Sequence, residues 1–480
     1  MSVKRQQLVH ILHTNDIHSH YEKMPGVQSV IQRLRGDLED RGEAFFLVDV
    51  GDHMDRVRIE TEGTEGQANR AVMDATGYQL VTLGNNELLT FSKEDLNALY
   101  GDAPFEVLAT NVRESGGDRP RWISPWTVRE AAGLRIGFLG VTIPFYTFYQ
   151  LLGWEVADPI ERLSVEVPRL RREVDAVVVL SHLGLGNDRR LAEEVPGIDL
   201  ILGSHTHHLL EVPERIGETL IAAAGKFGGH VGHVTIAFDP ATRSVRDVRG
   251  GCVSTSEAPA DSEIEELIRR FRLKAEEELS RPIVKLDRDL SIDWYQESPL
   301  GNLLADGLLE WVGGDCSFVN AGQLLGGLEK GPVTRGQIHR ICPHPINPCR
   351  MVLTGGQIRR ILEESLLREF QEMEIRGFGF RGKRLGMINA SGIEIEYDSG
   401  GPARGKIRRL WIGGEPLIEK KPYQVATIDM FTFGVGYQEF REGRDLQYFL
   451  PEFLRNILAS WLNRPEAVDA SFQLRWHDIG

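Results

Sequence analysis

Short, uninterrupted apolar runs dominate the first half of the chain. They lie at residues 8–13, 45–50, 80–83, 107–109, 136–141, 176–180 and 199–202. Runs of Val, Ile, Leu and Phe without alternation are typical of strands that are buried on both faces. Between them, residues 27–38 and 67–76 show the polar and apolar spacing of amphipathic helices. The pattern therefore predicts a layered α/β domain in which helices cover a central sheet.

The pattern changes in the second half. Residues 254–281 are strongly charged and carry a narrow apolar stripe, which predicts a helix that connects two domains. Helical spacing returns at 300–311 and 358–366, with strand-like runs at 351–353, 393–397 and 425–428. A chain of 480 residues exceeds what one core usually organises. We therefore predict a first domain at 1–253, a linking helix at 254–281 and a separate α+β domain at 282–480.

Charge and composition narrow the class of protein. The 70 acidic residues outnumber the 55 basic ones and give a net charge of −15. Because such a chain repels polyanions and has no long Lys or Arg run, nucleic acid is not expected as a partner. No segment approaches the roughly 18 apolar residues of a membrane helix, and the N-terminus lacks the apolar core of a secretory signal. With only four cysteines, expected to be reduced thiols, the sequence predicts a cytoplasmic protein without a membrane anchor.

Polar clusters follow five of the predicted strands, each directly after the strand ends. The clusters lie at residues 13–18, 49–52, 84–87, 181–182 and 203–208. In open α/β sheets, ligands bind outside the carboxyl ends of the strands. We therefore expect the five clusters to form a single site.

The side chains in these clusters are suited to binding metal ions. Asp16 and His18 lie two residues apart, and the carboxylate of Asp52 can bridge two cations because its charge offsets their repulsion. The other candidates are Asn85, His182, His205 and His207. Taken singly, each residue is also compatible with a solvated turn or a structural histidine. Their convergence favours a site for two divalent cations, and this mixed ligand set accepts manganese, zinc, iron or cobalt.

In identity, order and spacing, these residues resemble the motifs of the calcineurin-like metallophosphoesterases. The motifs are Asp16-x-His18, Gly51-Asp52, Gly84-Asn85, His182 and Gly203-x-His205-x-His207. Residues 110–112, 300–303, 319–322 and 331–355 extend the resemblance to the two-domain bacterial 5'-nucleotidase and 2',3'-cyclic phosphodiesterase branch. The resemblance covers about residues 8–437.

The resemblance implies both a fold and a mechanism. The first domain would be a four-layer β-sandwich flanked by helices, and the second an α+β 5'-nucleotidase domain that selects the substrate. One cation would be held by Asp16, His18, Asp52 and His207, and the other by Asp52, Asn85, His182 and His205. A hydroxide bridging the cations would attack phosphorus directly. The implied activity is hydrolysis of small phosphate esters such as nucleotides.

Three features depart from the family pattern. The family's His and Asp, which stabilise the transition state, are replaced by Asn86 and Leu89. We expect Asn86 to be the catalytic donor in their place, through a neutral hydrogen bond to the reacting phosphoryl group. Leu324 occupies the position of a substrate-binding arginine. The third departure lies at the family's two base-stacking phenylalanines.

The predicted substrate-binding residues near those phenylalanine positions are Met387, Phe431 and Tyr437, with Phe433 close by. Each suits a hydrophobic core as well as a pocket. Two classes of function remain open. The complete ligand set favours a hydrolase acting on a small phosphorylated substrate. The changes at Asn86 and Leu89 suit a metal-retaining sensor or scaffold that binds a nucleotide or phosphate with little catalysis.

Overall fold

The computed structural model describes residues 7–480 and divides into two compact units. The first unit ends at Ala275, and the second runs from Glu276 to Gly480. Helix α9, Ser262–Leu279, crosses this boundary. Each unit has its own hydrophobic core and is described separately.

The first unit consists of short strands that alternate with helices. Its strands β1 to β15 are Gln7–Thr14, Ala44–Asp49, Leu80–Thr82, Glu106–Leu108, Val112–Glu114, Ile123–Ser124, Trp126–Ala131, Leu134–Thr142, Trp154–Val156, Ala176–His182, Leu200–Gly203, Glu214–Ile216, Thr219–Ala222, His230–Asp239 and Ser244–Ser254. Its helices α1 to α8 are Met24–Asp40, Ile59–Gly63, Gln67–Thr76, Asn85–Thr90, Lys93–Tyr100, Tyr146–Leu151, Pro159–Leu170 and Leu185–Glu194.

Two large sheets organise these strands. A seven-stranded sheet has the order β15-β14-β1-β2-β3-β4-β6, and a six-stranded sheet has the order β12-β13-β11-β10-β8-β7. Strands β1 to β4 are parallel neighbours, as are β8, β10 and β11. Parallel pairing places the carboxyl ends of these strands on the same edge of each sheet.

The two sheets stack face to face and helices cover both outer faces. Ile11 and Val48 of the first sheet pack with Phe138 and Val178 of the second in one fully buried cluster. Helices α1, α3 and α5 cover the first sheet, and α7 and α8 cover the second. The four-layer sandwich is therefore confirmed. The single central sheet predicted from the apolar pattern alone is wrong, because burial on both faces does not reveal whether a helix or another sheet covers a strand.

The second unit is an α+β assembly, which confirms the predicted class. Its strands β16 to β26 are Pro282–Leu286, Cys316–Asn320, Gly331–Thr334, Pro348–Thr354, Ile388–Ser391, Ile393–Tyr397, Ile407–Ile412, Glu415–Pro416, Pro422–Ile428, Arg444–Tyr448 and Trp476–Asp478. Its helices α10 to α16 are Pro299–Val312, Arg335–Ile341, Gly355–Ser365, Arg368–Gln371, Asp429–Thr432, Leu454–Leu462 and Pro465–Ala470. A five-stranded sheet, β20-β17-β24-β19-β25, forms its centre, beside a four-stranded sheet, β23-β22-β21-β26.

Two further observations concern the whole described chain. Every helix within residues 7–480 is too short or too polar to cross a bilayer. All four cysteines, Cys252, Cys316, Cys342 and Cys349, carry free thiols.

Candidate metal centre

The five polar clusters meet at the carboxyl ends of strands from both sheets of the first unit. Asp16 and His18 follow β1, Asp52 follows β2, and Asn85 opens helix α4 just after β3. From the other sheet, His182 is the last residue of β10. His205 and His207 follow β11.

Five of the seven predicted ligands have a left-handed backbone. The φ angles are 50° at Asp16, 48° at His18, 51° at Asp52, 74° at His205 and 61° at His207. Residues other than glycine rarely adopt this backbone conformation, which costs about 1–3 kcal/mol per residue. Such strain clusters at functional sites, because the surrounding structure must enforce it.

Asp16, His18 and His207 form one compact group whose ligand atoms all lie within 4.8 Å of one another. The Nε2 atoms of His18 and His207 are 3.1 Å apart. The Oδ1 atom of Asp16 lies 3.9 Å from His18 Nε2 and 3.7 Å from His207 Nε2. Ser204 Oγ donates a hydrogen bond to the other carboxylate oxygen of Asp16, at 2.8 Å, and so holds it in place.

Asp52, His182 and His205 form a second group within the same limit of 4.8 Å. His182 Nε2 lies 3.4 Å from Asp52 Oδ2 and 3.3 Å from Asn85 Oδ1. Asp52 Oδ2 is also 3.7 Å from His18 Nε2 of the first group. A single carboxylate oxygen therefore stands between the two groups, where a bridging ligand is required.

The electrostatics of these groups favour a positive charge. Burial would raise the pKa of Asp52, but the imidazoles of His182 and His18 hold it below the usual range. Burial would lower the pKa of His182, but Asp52 outweighs this and raises it to about 10. Burial and the neighbouring His182 lower the pKa of His205 to about 4. The site thus places the ionised carboxylate of Asp52 among imidazoles that are close enough to share a cation.

The donor set fits two divalent metal ions. His182 Nδ1 lies 2.8 Å from the carbonyl oxygen of Val50, so its proton is held there and Nε2 is left to bind a cation. Imidazole nitrogens, carboxylate oxygens and one amide oxygen are the usual ligands of transition-metal ions. The residues present therefore match the requirements of a dinuclear centre.

The sequence did not reveal the importance of Glu87. Its carboxylate accepts hydrogen bonds from the backbone N–H groups of Asp52, Met54 and Gly84, at 3.0, 2.9 and 2.9 Å. Burial and the nearby Asp52 raise its pKa to about 7. Gly84 is required beside it, since a Cβ atom there would overlap the Asp52 carboxylate. Glu87 lies in α4 and binds the backbone of the loop that follows β2. This contact between distant segments is visible only in the structure, because no sequence spacing predicts it.

Asn86 contacts both ligand groups. Its backbone N–H donates to Asp52 Oδ1 at 2.8 Å, and its side-chain amide lies 2.8 Å from His18 Nδ1. Leu89, three residues on, is half-buried and packs against the hydrophobic core of the first unit. The role of Asn86 as a donor to the phosphoryl group stays a prediction.

Two different walls flank the centre. On one side, the Phe227 ring lies 5.8 Å from His18 and 6.0 Å from His207, with Lys226 Nζ 4.6 Å above it. Phe227 has a left-handed φ of 59°, and its N–H donates to the carbonyl oxygen of Asp16 at 2.7 Å. On the other side, the Phe145 ring lies 6.2 Å from His205. The first wall is cationic and the second is apolar.

The predicted substrate-binding residues lie in the core of the second unit. Met387 is 3% exposed, and Phe431 and Tyr437 are fully buried. Their contact with substrate stays a prediction. Phe433, which the sequence placed close by, is 41% exposed and stacks on Phe378, with ring centroids 5.8 Å apart. Phe378 is 54% exposed and was missed. Because Phe378 follows no strand and belongs to no motif, only its exposure in the structure identifies it as a candidate binding residue.

Comparison with known proteins agrees with this geometry. The calcineurin-like phosphoesterase family matches residues 9–209, and the 5'-nucleotidase C-terminal domain matches residues 276–442. The uncharacterized metallophosphoesterase YunD of Bacillus subtilis is 38% identical over 456 residues, which cover 95% of this chain and 99% of YunD. The chain therefore belongs to the calcineurin-like metallophosphoesterases and is a metal-dependent phosphoester hydrolase.

More distant relatives include 5'-nucleotidases. The Mus musculus 5'-nucleotidase is 24% identical over 451 residues, covering 81% of this chain and 75% of the mouse protein. The solved structure of a 5'-nucleotidase precursor from Thermus thermophilus has a TM-score of 0.58 and 22% identity, covering 98% of this chain and 99% of the other. The latter similarity establishes a shared fold.

Proposed function

We propose that the protein hydrolyses small phosphate esters, with nucleotides as the main class, at a dinuclear metal centre. Asp16, His18, Asp52 and His207 would hold one cation, and Asp52, Asn85, His182 and His205 the other. The observation that carries this proposal is the pair of adjacent ligand groups with Asp52 Oδ2 between them.

Each side chain has a distinct task in this reaction. Bound divalent cations supply Lewis acidity toward the phosphoryl oxygens and lower the pKa of water. Asp52 offsets the repulsion between the two positive charges. Asp16 and His182 are fully buried, whereas the side chain of His207 is about one-third exposed. The substrate therefore approaches from the side of His207, between the walls formed by Phe227 and Phe145.

Lys226 supports an anionic substrate. Within residues 7–480, no carboxylate forms an ion pair with its ammonium group, which contacts the Phe227 ring. In a chain of net charge −15, an uncommitted cation beside the centre attracts a phosphate group over the first few ångströms of approach.

The exposed pair Phe378 and Phe433 supports a nucleotide substrate. The exposed ring of Phe378, which stacks on Phe433 at an interplanar angle of 25°, offers a flat apolar face to a heterocyclic base, and such stacking contributes about 1–3 kcal/mol. The 5'-nucleotidase relatives are named for substrates of this class. Hydrolysis is favoured over a non-catalytic sensor because the ligand set is complete despite the changes at Asn86 and Leu89.

The test is phosphate release under defined metal conditions. Protein stripped of metal is reloaded separately with manganese, zinc, iron or cobalt and offered nucleotides, cyclic nucleotides and sugar phosphates. We expect at least one cation to restore release far above the stripped protein, with nucleoside monophosphates among the best substrates. Tight binding of a nucleotide without turnover under every metal would overturn hydrolysis in favour of the sensor.

A further inference from the structure

We propose that Asn86 is a positioning residue, which orients the His18 imidazole and the Asp52 carboxylate instead of contacting the substrate. This inference rests on the proposed dinuclear centre. It assigns the residue that replaces the family's histidine to the metal ligands, and it departs from the role that the sequence alone predicted for it.

The two contacts of Asn86 come from different parts of the residue. As the second residue of α4, it points its backbone N–H at Asp52 Oδ1, 2.8 Å away. Its side chain reaches the ring of His18 at Nδ1, also at 2.8 Å. One residue thus touches a member of each ligand group.

The contact is on the correct edge of the His18 ring for this role. Nδ1 faces Asn86, while Nε2 faces inward, 3.1 Å from His207 Nε2 and 3.7 Å from Asp52 Oδ2. An imidazole that binds a cation through Nε2 carries its proton on Nδ1, and that proton needs an acceptor. A partner at Nδ1 fixes both the tautomer and the direction of Nε2.

An asparagine amide suits this position because it serves either state of the ring. In the structure, the side-chain N–H group of Asn86 faces His18 Nδ1 and can donate to it when that nitrogen carries no proton. If the amide group is rotated by 180°, its oxygen faces Nδ1 and accepts the proton of the other tautomer. The carboxylate of Asp55, whose Oδ2 is 3.4 Å from the same nitrogen, is a second acceptor for that proton. Asn86 and Asp55 therefore both contact Nδ1, the ring nitrogen of His18 that faces away from the proposed metal site.

Leu89 agrees with the same arrangement. An aspartate there would serve to orient a histidine at position 86. With an asparagine whose amide is committed to His18, a carboxylate at 89 would lack a partner. Leu89 instead packs into the core cluster of the first unit.

The experiment measures metal binding directly. Metal-stripped wild type, Asn86→Ala and Asn86→Asp are titrated with Co²⁺, with calorimetry giving affinities and the visible spectrum giving the ligand field. For Asn86→Ala we expect one binding step to weaken about 10- to 100-fold, the size typical of lost support behind a metal ligand, with an altered spectrum. Asn86→Asp keeps an acceptor for the Nδ1 proton and should restore both the affinity and the spectrum.

Matched variants separate positioning from general damage. Asn97→Ala removes an asparagine whose side chain accepts a hydrogen bond from Trp122, and it should bind Co²⁺ like wild type. If Asn86→Ala does not fold, Asn86→Ser, whose side chain is too short to reach His18, carries the same prediction.

The outcomes distinguish this inference from the proposed function. If Asn86→Ala binds both ions as wild type does but its kcat falls, Asn86 contacts the substrate and the inference is overturned. If wild type itself binds fewer than two ions per chain, or releases no phosphate when loaded, the proposed function fails first. Weakened binding in Asn86→Ala with rescue by Asn86→Asp supports the inference whatever the substrate is.

Discussion

At the scale of single residues, the sequence displays the residue types of the proposed ligands but not their backbone conformation. The sequence shows directly that Asp, Asn and His residues follow the ends of the predicted strands. The left-handed φ angles at Asp16 and His205 arise from contacts with distant segments, such as the Ser204 hydroxyl and the His205 N–H that both hold Asp16. Contacts of that kind also explain why Glu87 and the His18 contact of Asn86 were missed.

Asp52→Asn tests the bridging position. The substitution keeps the size of the side chain but removes the charge shared by two cations, so we expect fewer than two metal ions per chain and a loss of activity of about 10²-fold or more. Elemental analysis and phosphate release measure the two effects. A variant that retains two ions and hydrolyses at the wild-type rate would show that Asp52 does not bridge.

Lys226→Gln tests the cationic wall. Because Lys226 is exposed, its attraction to a phosphate is screened, and we expect KM to rise roughly two- to fivefold with little change in kcat. Steady-state kinetics at low and high salt provide the measurement, since the difference should shrink as salt increases. Lys274→Gln, which alters a lysine hydrogen-bonded to Gln67, is the control. An equal effect in both variants would remove Lys226 from substrate binding.

At the scale of elements, the apolar runs located strands well but did not assign them to sheets. Strands β1 and β10 both read as continuous apolar segments, yet they belong to different sheets. Each contributes one face to the cluster between the sheets, and a sequence pattern does not name the partner across that interface. The helix predicted at 67–76 is α3, because its spacing and the following Gly77 are local signals.

Asp429, at the start of α14, makes the stability of the second unit depend on pH. Burial raises its pKa from 3.8 to about 7. Between these pH values the folded chain keeps the carboxyl protonated while the unfolded chain ionises it. Its contribution to stability is therefore complete below about pH 4 and is lost as the pH rises to about 7.

Asp429→Asn should remove this dependence. Asn347 N–H, which donates to Asp429 Oδ2 at 3.1 Å, keeps an acceptor in the variant. We expect the variant to gain stability over wild type between pH 5 and pH 8, by up to about 4 kcal/mol, as measured by urea unfolding. Asp287→Asn, at an exposed position, should follow wild type. Parallel pH profiles for wild type and Asp429→Asn would contradict the assignment.

At the scale of the whole molecule, the proposed metal ligands and the predicted substrate-binding residues lie in different units. All seven proposed ligands lie in the first unit, between Asp16 and His207. The predicted substrate residues of the second unit came from the spacing of family motifs. Those residues are buried in the core, whereas Phe378 is exposed on a loop that no motif marks.

A fragment of residues 1–281 tests this separation. It contains both ligand groups and the whole of α9, so we expect it to bind two metal ions and to hydrolyse an aryl phosphate slowly. Preference among nucleotides should be lost, as shown by kcat/KM values that converge across the series. A fragment with the full nucleotide preference would refute a selecting role for the second unit.

The ligand set has a consequence for folding, because it draws on both sheets of the sandwich. Asp16, His18, Asp52 and Asn85 come from one sheet, whereas His182, His205 and His207 come from the other. Bound ions would therefore act as tertiary cross-links. At a free-metal concentration 100 times the dissociation constant, each ion adds about 2.7 kcal/mol to the free energy of unfolding.

Thermal unfolding should register this linkage. We expect the melting temperature to rise with the logarithm of free metal and to fall when a chelator is added, and Asp52→Asn should respond less than wild type. A melting temperature independent of metal would show that the folded chain binds no ion in preference to the unfolded chain. Where free metal is scarce, apolar packing alone would keep the two sheets together, so the lifetime of the folded chain would depend on the supply of metal ions.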